Sequence, residues 1–258
     1  MVTRQRVSRQ AHGRARAKPP ARAVLVTGGS GGIGRAICVA FAQEGWHVGV
    51  HYRREKSAAE TTLRLVEQAG AQGAVYQADI RESHAVQLML ETFCRERRGL
   101  SAVICNAGVE TSALLVRLKP SDWDGVIDTN LTGTFHCLRS AAHWLQVGGG
   151  GSIVVVGSYS GFHGSAGQAA YAASKAGLIG LVKTAALEWG PDNIRVNMVL
   201  PGWHNSALTQ GRMPDIEEME DHALRRTPTV GEVAQTIVHL VAARDVSGQI
   251  WNCDSRIL

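Results

Sequence analysis

Short continuous apolar runs alternate with polar segments of helical periodicity from residue 23 to the end of the chain. The apolar runs fall at residues 23–27, 47–52, 74–77, 102–105, 152–157, 195–200 and 249–253. Between them, residues 34–44, 57–69, 83–97, 121–145, a stretch beginning near 168, and 232–243 repeat apolar residues at helical spacing. Strands that are apolar throughout are buried on both faces, so the alternation predicts a parallel sheet covered by helices on either side. With right-handed crossovers this becomes a single doubly wound, Rossmann-like α/β domain spanning residues 23–258. Ligands in such a fold bind beyond the carboxyl ends of the strands, where the polar and glycine-rich segments of this chain lie. A polar stretch at about 204–228 reads as a lid over a substrate.

Composition alters one part of this picture. The net charge of +5 suggests a nucleic-acid partner until the charges are located. Seven of the 27 Lys and Arg residues lie in residues 1–22, which contain no acid, so the other 20 face all 22 acidic residues. The excess charge therefore belongs to an N-terminal tail that is expected to be disordered, and the domain itself gives no sign of binding nucleic acid. An acid-free, Arg-rich leader also has the composition of an organelle transit peptide or of a basic arm. Five scattered cysteines (38, 94, 105, 137 and 253) lack metal-ligand spacing and fit buried thiols in a reducing cytoplasm, with no metal site. No apolar run is long enough for a membrane span.

The candidate chemistry lies at the strand ends. Thr27 to Gly34 reads T-G-G-S-G-G-I-G after the first strand and opens a helix, which suits close approach of a pyrophosphate to backbone N–H groups. The second strand ends in His51-Tyr52-Arg53-Arg54, with no acid to bind a ribose 2′-hydroxyl. Two guanidiniums there favour a 2′-phosphate and hence NADPH/NADP+. Asp79 at the third strand's end could accept from an adenine amino group or cap the next helix. The small residues of Asn106-Ala107-Gly108 let the fourth strand's end lie against the cofactor. In Ser158 to Lys175, Tyr171 and Lys175 are four residues apart on one helix face, with Ser158 at the preceding strand's end. That set forms an acid catalyst with a partner that polarises a carbonyl. His163, in the loop between, could touch substrate or simply face solvent.

Taken together, T-G-x-x-x-G-x-G at 27–34, N-A-G at 106–108, Ser158, Tyr171-x-x-x-Lys175 and Pro201-Gly202 resemble the short-chain dehydrogenase/reductase family, over residues 23–255. The resemblance implies Asn130 as a fourth catalytic residue beside Ser158, Tyr171 and Lys175, holding a water that leads protons inward. It implies cofactor contacts from Gly28, Ser30, Gly32, Ile33, Gly34, Arg53, Asp79, Ile80, Asn106, Ala107, Gly108, Tyr171, Lys175, Pro201 and Gly202. Leu114 to Leu118, Asp122-Trp123-Asp124 and Val126 to Gly133 look like the 3-oxoacyl-acyl-carrier-protein reductases. That likeness implies a cytoplasmic homotetramer reducing a 3-oxoacyl thioester, on acyl carrier protein or CoA, with NADPH. The subgroup's carrier-docking arginines fall on His143 and Leu187, Glu110 puts an acid after the N-A-G segment, and Trp203-His204 replaces an apolar pair. Another small ketone or a pterin, or a catalytically silent scaffold subunit, are the other readings.

Overall fold

A computed structural model describes residues 22–204 and 219–258. The basic tail up to residue 21, and residues 205–218 of the expected lid, lie outside the described residues. Seven strands form one sheet: β1 (Ala23–Val26), β2 (His47–Tyr52), β3 (Gly73–Gln77), β4 (Ala102–Cys105), β5 (Gly151–Val156), β6 (Ile194–Leu200) and β7 (Ile250–Asn252). Every neighbouring pair is parallel, in the order β3-β2-β1-β4-β5-β6-β7. The order reverses between β1 and β4, so the carboxyl ends of those strands flank a crevice at the switch point.

The period-two rule explains both cores. Along β5, Ile153 and Val155 point into one hydrophobic cluster and Val154 and Val156 into the other. The first cluster is closed by α3 (Ser83–Arg97), α5 (Gly133–Gly148) and α7 (Ala169–Trp189), through residues such as Phe93, Leu138 and Leu178. The second is closed by α1 (Gly32–Gln43), α2 (Lys56–Gln68) and α8 (Val230–Ala242), through Phe41, Val66 and Leu240. The helix α8 starts on a capping box in which Thr229 Oγ1 accepts from Glu232 N and the Glu232 carboxylate accepts from Thr229 N.

One expected element is broken. The single helix expected over 121–145 is instead α4 (Pro120–Ile127), a π-helical turn at Asp128–Thr132, then α5. The wide turn contains Asn130, and such interruptions are found mostly at functional sites. The periodicity of the flanking residues is nearly unbroken by one π turn, so a sequence pattern reads through it. A short helix, α6 (Ser160–His163), sits between β5 and α7.

Candidate active site

The glycine-rich turn is held by residues from three strands. Gly28 has φ +64° and donates its N–H to His51 Nδ1 at 2.9 Å. The other ring nitrogen of His51 lies 3.0 Å from the Ala78 carbonyl. These two contacts require the neutral tautomer with Nε2–H as donor, and burial pushes the imidazole down to about 4, in agreement. Thr27 Oγ1 accepts from the N–H groups of Asn106 and Ala107 at 2.9 and 3.0 Å, and Asn106 Nδ2 donates to Thr27 O and Gly28 O. At Gly34 a Cβ would collide with the Gly28 carbonyl, so the third glycine packs helix against turn. The first turn of α1 has no side-chain cap and no acid, which leaves its N–H groups pointing at an open crevice. That is the cradle a pyrophosphate needs, and the residues present fit a dinucleotide.

Beyond the turn a cavity of about 330 Å³ opens at the switch point. Gly28, Ser30, Gly32, Ile33, Asn106, Ala107, Gly108, Pro201 and Gly202 line one part of it, and Ser158, Tyr171 and Lys175 line another. Gly34 packs against Gly28 and Asn106 behind this wall, and Ile80 is not one of its lining residues. Ile80 is buried and would meet a Cβ on Gly133. Arg53 and Asp79 stand at the ends of β2 and β3, outside the cavity wall. Asp79 is gripped by Arg81, whose Nη2 lies 2.6 Å from Oδ2, and this hydrogen-bonded guanidinium pulls the carboxyl down to about 2. Asp79 does not cap α3, whose N-cap position is Glu82.

On the reactive side, β5 delivers Ser158 and α7 delivers Tyr171 and Lys175 to one spot. Ser158 and Tyr171 share one wall of the cavity, and Lys175 Nζ lies 5.6 Å from the Tyr171 ring centroid. Burial pushes the phenol up to about 12, with Ser158 lowering it and Glu110 raising it. Burial likewise pushes the Lys175 ammonium down to about 8, and its Nζ donates to the Val156 carbonyl at 2.8 Å. The protein alone therefore presents a neutral phenol, a proton donor. Asn130 is almost fully buried, and its Nδ2 donates to Val109 O at 2.9 Å and Ser174 Oγ at 3.1 Å, while Oδ1 accepts from Val109 N at 2.8 Å. Both amide hydrogens are thus used in tying the segment after β4 to α7, so the expected water would be held as a donor to Oδ1.

Several wall residues carry no motif. Glu110 accepts from Gln168 Nε2 at 3.0 Å, and Tyr159, Ser160, Trp203, His204 and Arg256 complete the cavity. The departures at Glu110 and Trp203-His204 do fall on the wall. His163 is exposed and is not a lining residue of the cavity; it stacks on Tyr159, which is, with ring centroids 4.3 Å apart. Nothing in the sequence marks Arg256, because what brings it to the cavity is its stacking on Tyr159 from a distant segment.

This is the geometry of a nucleotide-dependent oxidoreductase site, and comparison with known proteins agrees. The short chain dehydrogenase family model matches residues 22–217, and the chain belongs to that family. A 3-oxoacyl-[acyl-carrier-protein] reductase, FabG, of Staphylococcus epidermidis is 35% identical over 232 residues, covering 88% of this chain and 95% of the relative. A 3-oxoacyl-[acyl-carrier-protein] reductase of Synechocystis is 34% identical over 237 residues, covering 91% and 96%. A crystal structure of a protein assigned as a short-chain alcohol dehydrogenase from Sinorhizobium meliloti 1021 superposes with TM-score 0.86 at 32% identity, covering 91% of this chain and 95% of that one. Levodione reductase shares the fold, with TM-score 0.84 at 23% identity, covering 92% and 98%. Among the described residues no cluster of three or more His, Cys, Asp or Glu could hold a metal, and no helix is long and apolar enough to cross a membrane.

Proposed function

We propose that the chain is an NADPH-dependent carbonyl reductase acting on a 3-oxoacyl thioester. The observation that carries this reading is the meeting of Ser158, Tyr171 and Lys175 on the wall of one cavity whose other part is the glycine turn. Reduced nicotinamide would supply the hydride; the chain supplies the proton and the hold on oxygen. The Tyr171 hydroxyl protonates the carbonyl oxygen, and Ser158 donates a hydrogen bond to the same atom. Lys175 lies between the Tyr171 ring and the β5 end, where it would hold a nicotinamide ribose and stabilise the phenolate left behind. Asn130 is a positioning residue that joins the segment after β4 to α7.

The turn residues Gly28 to Gly34, together with Asn106 to Gly108, would hold the pyrophosphate and ribose, and Arg53 the 2′-phosphate. The thioester reading is supported by the names of the relatives from Staphylococcus epidermidis and Synechocystis. The exposed Leu187 and His143 at the carrier-docking positions favour CoA or a small thioester over acyl carrier protein as the preferred form. A cytoplasmic homotetramer fits the exposed Trp123, Phe135 and Leu187 on α4, α5 and α7; Leu178 and Val182, being core residues, do not contribute to such a face. Following NADPH oxidation with acetoacetyl thioesters of CoA and of acyl carrier protein, then with free ketones and pterins, tests the reading. Turnover of none of them would sink it, and sedimentation tests the tetramer.

A further inference from the structure

The C-terminal segment brings a buried guanidinium to the cavity. Arg256 lines the wall with only 9% of its surface exposed, and its guanidinium carbon lies 3.9 Å from the Tyr159 ring centroid. Tyr159 directly follows Ser158, so the cation sits one residue from the hydroxyl pair. Nε and Nη2 of Arg256 both donate to Asp254 Oδ2, Nε at 2.9 Å, while the Arg256 N–H donates to Asp254 Oδ1 at 3.1 Å. Asn252 Nδ2 donates to the Arg256 carbonyl at 2.6 Å.

Asp254 is itself held from two further sides. Gly202 has φ +76°, and a Cβ there would come within 2.5 Å of Asp254 Oδ2, so the carboxylate fits only against a glycine. His222 is 2% exposed; its Nε2 lies 3.3 Å from Asp254 Oδ1, off hydrogen-bond geometry, and its Nδ1 lies 2.7 Å from Asp221 Oδ1. Residues 219–228, expected in the lid, thus begin with a segment packed on the C-terminus, where His222 and Arg256 form an antiparallel bridge.

A buried ion pair is weak as a device for stability, since apolar packing usually serves as well. Here one edge of the fork is locked by Asp254 and one face by Tyr159, while a guanidinium carries five donors. The remaining N–H groups are a preorganised donor site for a second oxyanion. Among the described residues lining the cavity, Arg256 and Lys175 are the only Lys or Arg, and Lys175 stands beside the Tyr171 ring, where the reductase reading already employs it.

We propose that Arg256 is a specificity-determining residue that binds an anionic oxygen group on the substrate, a carboxylate or a phosphate, with Asp254 and Tyr159 as its positioning residues. This rests on the carbonyl-reductase reading, but its test need not. Binding to the full-length protein–NADPH complex, where an alcohol cannot react, is measured by calorimetry for two matched pairs. One pair is 3-hydroxybutyrate and its methyl ester; the other is the 3-hydroxybutyryl thioester of CoA and that of neutral N-acetylcysteamine. In the wild type the anionic member of at least one pair binds about tenfold or more tightly than the neutral one. Arg256→Gln abolishes that preference and leaves the neutral ligand within about twofold, and Arg256→Lys retains part of it. A preference in the first pair identifies a carboxylate, and in the second a phosphate. No preference in the wild type, a preference that survives Arg256→Gln, or equal weakening of charged and neutral ligands overturns the proposal. Failure of NADPH oxidation with every ketone would instead sink the reductase reading while leaving this comparison standing.

Discussion

The two halves of the cavity are built from different materials. The cofactor half is mainly backbone: a glycine turn, the uncapped start of α1 and the strand ends at Thr27 and Asn106, braced by a neutral His51. The substrate half is side chains from separate parts of the chain, Glu110, Tyr159, Gln168, Trp203 and Arg256. Backbone cannot vary without changing the fold, whereas side chains vary freely. The first half therefore fixes a reaction class, and the second selects among carbonyl compounds.

The sharpest way to test the division is to remove chemistry without touching either binding half. Tyr171→Phe keeps the ring and deletes the proton donor, and should cost roughly 10²–10⁴-fold in turnover while cofactor affinity stays within about twofold. Turnover near the wild-type rate would dissolve the assignment. In the cofactor half, Arg53→Asp should weaken NADPH by about 10–100-fold, with much less effect on NADH. Equal loss for both would remove Arg53 from the 2′-phosphate.

Backbone packing and bracing provide the smaller effects. Gly34→Ala forces a methyl into the Gly28 carbonyl and should destabilise the fold by about 1–3 kcal/mol, seen as a lower denaturant midpoint together with weaker NADPH binding. An unchanged midpoint would mean that the turn yields more easily than its contacts imply. For His51, the folded value of about 4 lies below the ordinary 6.5. The unfolded chain then binds a proton that the native state refuses. Stability present above pH 6.5 is accordingly lost as pH falls toward about 4, by up to about 3 kcal/mol for this group. His51→Gln should flatten that part of the pH–stability profile, and an unaltered slope would assign the acid sensitivity elsewhere. His47 shifts in the same direction, so the difference between wild type and variant is the quantity to read.

Much of the cofactor half was legible in residues 27–34 and 106–108, because a turn that must approach a ligand closely demands glycine at set spacings. The pairing of Tyr171 with Lys175 was legible because helical geometry places residues four apart on one face. The π turn around Asn130 was not, since one widened turn barely disturbs an amphipathic pattern. His51 also looked like an ordinary strand residue; its role depends on Gly28 and Ala78 arriving on either side of one ring.

Local pattern and short-range spacing determined the alternating α/β order, the parallel sheet, the glycine cradle and the Ser158, Tyr171 and Lys175 set. These depend on periodicity and on neighbours a few residues away, which a linear chain records directly. The tertiary structure alone decided that burial keeps Tyr171 protonated, that Asn130 ties Val109 to Ser174, and that Arg256 reaches a wall formed by Tyr159 and Gly202. Those contacts join segments tens to about a hundred residues apart, and their strength comes from shared desolvation, which no single segment possesses until the sheet has brought the others beside it.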